Sequence, residues 1–271
     1  MTAFVAGDVT LNYVDDPRGT ADGPAVICHH GMGGDLSQPL GLLAELRVSR
    51  LIAPDARGHG ASSHLISEAD ASFDLLADDV IRLADHLGLE RFVAAGISLG
   101  AGASLNLALR YPARIEALIL ARPAWLDHAM EPWKQEIFDA IAELLETEDV
   151  ADAATLLSAR EDFQALAAQY PATGSSLRGQ LTRPQASEST AVLRGFPRAA
   201  PSLDAAAWSR ITVPTLVIAH GDDPFHPYEI GQQYARLIPG TKLVTIPSKE
   251  RSPAAFAAGL REAVQAFLHA F

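Results

Sequence analysis

The chain has 271 residues, 48% of them hydrophobic, enough to bury a large core in one domain with room for an inserted subdomain. Its 21 Lys and Arg stand against 33 Asp and Glu, and a formal charge of -12 repels polyphosphates and anionic headgroups, so nucleic acid and membrane surfaces are not expected partners. The single cysteine, Cys28 in the apolar run PAVICHH, cannot form an internal disulfide and reads as a small buried hydrophobe in a reducing compartment.

In chain order, the opening MTAFVAGDVTLNYVDD has neither a basic start nor a continuous apolar core, and no later run reaches the length of a membrane span. A cytoplasmic protein is expected. FVAGDVTLNYVDD alternates weakly and predicts a hairpin. Strands follow at 24–30, 50–56, 91–97, 114–121, 214–220 and 242–247, each a short apolar run. Helix-like stretches at 37–48, 73–88, 99–110, 227–238 and 253–270 lie between them. That alternation predicts a mostly parallel, doubly wound sheet covered on both faces.

The rhythm breaks once, between Ala121 and Val213, where EPWKQEIFDAIAELLETE and EDFQALAAQY read as helices and no strand is convincing. A helical insertion of this length predicts a lid over the carboxyl ends of the strands, where open α/β sheets bind ligands. The expected division is a core of 1–121 and 209–271 and a cap of 122–208. Trp125, Trp133, Phe138 and Phe163 in the cap either line a pocket or hold the cap helices together. Trp125 is taken as substrate-binding.

The motif with the most chemistry is Gly96-Ile97-Ser98-Leu99-Gly100, a serine at a strand-to-helix junction. A sharp turn there leaves no space for bulk two residues to either side, and glycine meets that demand. Upstream, HHGMGGD follows the first core strand, so the amides of Met32 and Leu99 can form an oxyanion hole, worth about 3 kcal/mol per donor. PDARGHGAS follows the next strand, and its Asp55, Arg57 and His59 read as turn-building residues rather than reactants.

With these segments, the helical insertion and PTLVIAHGDDPFHP near the end, the chain resembles the α/β-hydrolase superfamily over nearly its whole length. That resemblance implies the α/β-hydrolase fold, Ser98 as nucleophile and, in the order Ser, Asp or Glu, His, an acid at Asp223, with Asp222 as the lesser candidate. It also implies a structural histidine at His30 in the oxyanion loop, here taken as contacting substrate. The family's histidine, however, is missing. It usually follows the last strand, where KLVTIPSKERSP puts Lys249, Glu250 or Arg251, and no histidine occurs between His226 and His269.

A serine hydroxyl without a base is a weak nucleophile. His226, three residues past Asp223 on the same loop, is the leading substitute. His30, His128 and a buried Glu250 are the alternatives, while His29 is expected to face the other side of its strand and Glu250 to be a solvated charge at a helix start. The default function is hydrolysis of a small ester or lactone, without cofactor or metal, by a monomer or homodimer. The alternatives are a lyase, isomerase or cofactor-free oxygenase on the same fold, or a ligand-binding protein without catalysis.

Overall fold

The computed structural model describes residues 2–19, 23–65 and 67–270. Eight strands form one sheet: β1 Thr2–Ala6, β2 Val9–Pro17, β3 Ala25–His29, β4 Arg50–Pro54, β5 Phe92–Ile97, β6 Ile115–Ala121, β7 Thr215–Ala219 and β8 Lys242–Thr245. Their order is β1-β2-β4-β3-β5-β6-β7-β8. The first two pairings are antiparallel and those from β4 to β8 are parallel.

The parallel strands are apolar at nearly every position because both faces of the sheet are covered. Alternate residues serve opposite layers. On one face Val26, Cys28, Val93, Ala95, Ile119 and Ile218 pack with α1 (Ser37–Leu42), the turn after it, and α10 (Pro253–His269) through Leu43, Leu46, Phe256 and Leu260. On the other, Ile27, Ala94, Leu118 and Val217 pack with α2 (Phe73–His86), α3 (Leu99–Arg110) and α9 (Tyr228–Leu237) through Val80, Leu83, Leu105 and Tyr234. The period of two in the strands is therefore what divides the core into two layers.

One helix is shorter than its pattern suggested. The sequence predicts 37–48, but α1 stops at Leu42 and a turn follows. Leu43, Leu46 and Val48 are all buried. On a continuing helix Val48 would lie about 140° around the axis from Leu43, so the chain must leave the helical path to bury all three together.

The interval 122–208 contains α4 (Pro132–Thr147), α5 (Val150–Ala159), α6 (Glu161–Gln169), α7 (Pro171–Gly179) and α8 (Thr190–Gly195), and no strand among the described residues. Its apolar faces make a separate cluster with Trp125, Phe138, Ile141, Phe163, Leu177, Val192 and Phe196. Phe73, Leu99 and Phe225 join that cluster from the sheet side, so this helical layer sits on the carboxyl ends of β5 and β7. No helix among the described residues is long and apolar enough to cross a membrane.

Candidate active site

Between β5 and α3 the chain reverses within one residue. Ser98 has φ +55 and ψ −110, outside the regions that L residues favour, and it is the first residue before the helix. The turn is closed by contact. A Cβ on Gly96 would lie 2.0 Å from the backbone of Gly100, and one on Gly100 would lie 2.5 Å from the His29 carbonyl oxygen. Both glycines are thus required by close approach of backbone, and together they hold the Ser98 hydroxyl at the mouth of α3, whose N-terminal dipole favours negative charge.

The loop after β7 supplies the partner. His226 Nε2 lies 2.8 Å from Ser98 Oγ, and His226 Nδ1 lies 3.0 Å from each carboxylate oxygen of Asp223. Asp223 also accepts from the backbone N–H of Phe225 and of His226, at 3.2 and 3.1 Å, which fixes it within its own tight loop. With Nδ1–H donating to Asp223, Nε2 is left to accept the Ser98 hydroxyl proton. Serine, imidazole and carboxylate stand in one line, with imidazole and carboxylate on a single loop. Asp222 turns away and pairs at the exposed surface with Arg251, at 2.7 Å.

A fourth residue, with no motif in the sequence to mark it, completes the cluster. Arg122, directly after β6, donates to Asp223 Oδ2 from Nη2 at 2.6 Å and from Nε at 3.2 Å. Its Nη2 is also 3.0 Å from His226 Nδ1. With that nitrogen's proton directed at Asp223, donor faces donor here rather than forming a hydrogen bond, and protonation of His226 would set two positive charges against each other. Arg122 reaches the site because its own φ is +49, its N–H is bonded to the Ile218 carbonyl, and its guanidinium lies over the Phe256 ring. The available signal was positional: a charged residue at the carboxyl end of a strand, beside the strand that carries the acid.

These charges set the protonation states. Burial alone would push the Asp223 carboxyl up, but His226 and Arg122 outweigh it and hold it well below the usual carboxylate range. Burial, and after it the charge of Arg122, pushes His226 down to about 4 against the pull of Asp223. At neutral pH the pair is therefore carboxylate and neutral imidazole, the state a general base requires.

The N–H groups of Met32 and Leu99 have no protein acceptor among the described residues, and Met32 lines the cavity beside Ser98. His30 requires a correction. Rather than contacting substrate, it is buried beneath the loop, with Nδ1 2.8 Å from the Gly31 carbonyl oxygen and Nε2 accepting from Ala56 N–H at 3.0 Å. Both ring nitrogens are spent, Nδ1 within its own loop and Nε2 on joining the loops after β3 and β4, and its ring is absent from the cavity wall. Asp55 plays a similar part, accepting from Leu36 N–H, Ala61 N–H and the Asn12 amide, while Arg57 is bonded twice to Asp79.

His29 is buried against the elbow with its pKa pushed down by burial to about 3. His128 is exposed and bonded to Asp127. Glu250 is neither a base nor a free solvated charge: it accepts from Ala172 N–H, Thr173 N–H and Thr173 Oγ1, at 2.6 to 2.8 Å, and so closes the first turn of α7. The segment in which the resemblance would put a histidine thus clamps the helical layer to the sheet.

The cavity enclosed here has a volume of about 110 Å³. Ser98, His226, Arg122 and Lys249 are among its polar lining residues, and Trp125 and Phe138 among its apolar ones. Trp133 is partly exposed and Phe163 is buried within the helical layer, so of the four aromatics two face the cavity. Among the described residues no group of three or more His, Cys, Asp or Glu is placed to hold a metal ion.

Comparison with known proteins agrees with this architecture. The model for the alpha/beta hydrolase fold matches residues 24–251. Over 271 residues the chain is 28% identical to 3-oxoadipate enol-lactonase 2 of Acinetobacter baylyi, covering 99% of this chain and 96% of that protein. It is 32% identical over 246 residues to a protein of Variovorax paradoxus assigned as a carbamate hydrolase, covering 87% of this chain and 86% of that one. The crystal structure of the enol-lactonase from Burkholderia xenovorans superposes with a TM-score of 0.78 at 24% identity, over 99% of this chain and 100% of that one, a likeness of fold. The chain belongs to the α/β-hydrolase fold family, and it is a hydrolase of that family.

Proposed function

We propose that the protein hydrolyses small carboxylic esters or lactones, with Ser98 as nucleophile, His226 as general base and Asp223 as the residue that orients and compensates the imidazole. The observation that carries this reading is the 2.8 Å approach of His226 Nε2 to Ser98 Oγ, from a loop where the family resemblance leads one to look only for the acid. Ser98 Oγ attacks the carbonyl carbon while Nε2 takes its proton. The tetrahedral oxyanion is held by the amides of Met32 and Leu99 at the N-terminus of α3. On collapse, His226 returns the proton to the departing alkoxide oxygen, and a water activated by the same imidazole then releases the acid from Ser98.

The lactonase among the relatives supports a cyclic or open ester as the reacting group. The cavity of about 110 Å³ favours a short acyl part. The test is a pH-stat panel of short methyl esters and lactones with purified enzyme. Turnover of at least one, reduced by ~10⁴ or more in Ser98→Ala and in His226→Ala, is the expected result. Turnover that survives Ser98→Ala would replace nucleophilic catalysis with chemistry in which the site only positions its substrate.

A further inference from the structure

The charges around the cavity do not all find partners. Two cationic side chains line it, Arg122 and Lys249. Arg122 is spent on Asp223. Lys134, behind the wall, is paired with Glu131 at 2.8 Å. The two carboxylates of the lining are equally occupied: Asp223 by Arg122, His226 and two backbone amides, and Glu250 by the three donors at the start of α7. Lys249 alone, among the described residues, brings a charge to the lining with no carboxylate within ion-pair distance. Its Nζ donates to Ser176 Oγ at 3.2 Å, which leaves two of its three N–H groups without a protein acceptor.

A half-buried ammonium on a cavity wall that touches no carboxylate is incompletely compensated. Burial and then the nearby Arg122 lower the Lys249 pKa from its ordinary value, by more than the charges of Asp223 and Glu250 raise it from beyond ion-pair distance. It is positioned by Ser176 on the helical layer and by the short segment after β8, so its place relative to Ser98 is set by the two halves of the cavity closing on each other.

We propose that the substrate carries a carboxylate in addition to the reacting ester or lactone carbonyl, and that Lys249 is the anchor for it. The anchor accounts for a cation in the segment where the family resemblance leads one to look for a histidine: with the base at His226, that segment is free to bind instead. An anion here would form a charge-assisted hydrogen bond with the ammonium and turn the carbonyl toward Ser98. This rests on the ester or lactone reading above, and its test is arranged so that the two can fail separately.

The kinetic arm compares monomethyl succinate, glutarate and adipate with the methyl esters in which an isopropyl group replaces the carboxylate, which matches shape and removes charge. Wild type should favour the half-ester at least tenfold in kcat/KM for one chain length or more. That preference should fall at least tenfold in Lys249→Met and be largely kept in Lys249→Arg, a ratio that general damage to the fold does not change. The binding arm titrates glutarate and adipate calorimetrically into Ser98→Ala enzyme, with and without Lys249→Met. Dicarboxylate binding that requires Lys249, in a protein turning over no ester, would keep the anchor and sink the esterase reading. Equal turnover of charged and neutral esters, or a preference untouched by Lys249→Met, overturns the anchor and leaves the esterase reading standing.

Discussion

Replacing Arg122 with glutamine removes the guanidinium that faces His226 while leaving an amide able to donate to Asp223. Arg122 Nη2 and His226 Nδ1 are 3.0 Å apart. With both charges delocalised, their centres are ~5 Å apart, and at an effective dielectric of about 20 the repulsion between guanidinium and imidazolium is about 3 kcal/mol, or roughly 2 pH units. The acid limb of kcat/KM for a neutral methyl ester, which reports the base in the free enzyme, should lie near the His226 value of about 4 in wild type. In Arg122→Gln it should move up to about 6. The profile is measured after brief exposure to each pH, with circular dichroism confirming that the protein stays folded. A limb that stays in place would show that Arg122 does not govern the basicity of the imidazole, and the assignment of the charge contact would be wrong.

Three further outcomes follow from the same geometry. Gly96→Ala drives a methyl to 2.0 Å from the Gly100 backbone, which cannot swing aside, and should cost about 3 kcal/mol in urea unfolding; wild-type stability would contradict the packing described for the elbow. Glu250→Ala leaves three donors at the start of α7 without their acceptor, a loss of about 1 to 2 kcal/mol, and should speed amide exchange at Ala172 and Thr173, where unchanged protection would refute the clamp. His226 and His29 are held below the ordinary histidine value, at about 4 and about 3, so the unfolded chain binds more protons than the native one in acid. Stability is accordingly full above pH ~6.5 and lost as pH falls toward 4, by about 3 kcal/mol from His226 alone, and a urea midpoint equal at pH 7 and pH 4.5 would deny it.

Much of this was legible in the sequence because the constraints are local. The elbow requires small residues at Gly96 and Gly100 whatever surrounds it, and period-two apolar runs fix the strands wherever both faces are covered. His226 stands out as the candidate base because the chain offers no histidine after it until His269, and because it lies three residues past Asp223. What could not be read depends on side chains meeting across distant segments. Arg122 is 101 residues from Asp223, and its reach depends on a backbone angle that no pattern reveals in an arginine. Glu250 looked like a surface charge because its partners, Ala172 and Thr173, come from the insertion and are brought to it by the fold. The loop that carries His30 faces the cavity, which in sequence suggests a substrate contact, but its ring points the other way, to the Ala56 amide.

In the proposed mechanism everything depends on His226, from the loop that carries the acid, activating Ser98. Reaction with a fluorophosphonate, followed by intact mass, tests it without knowledge of the substrate. One adduct is expected, located at Ser98 and absent in Ser98→Ala, with a labelling rate that falls by ~10³ or more in His226→Ala. Labelling of Ser98 at the wild-type rate in His226→Ala would contradict it.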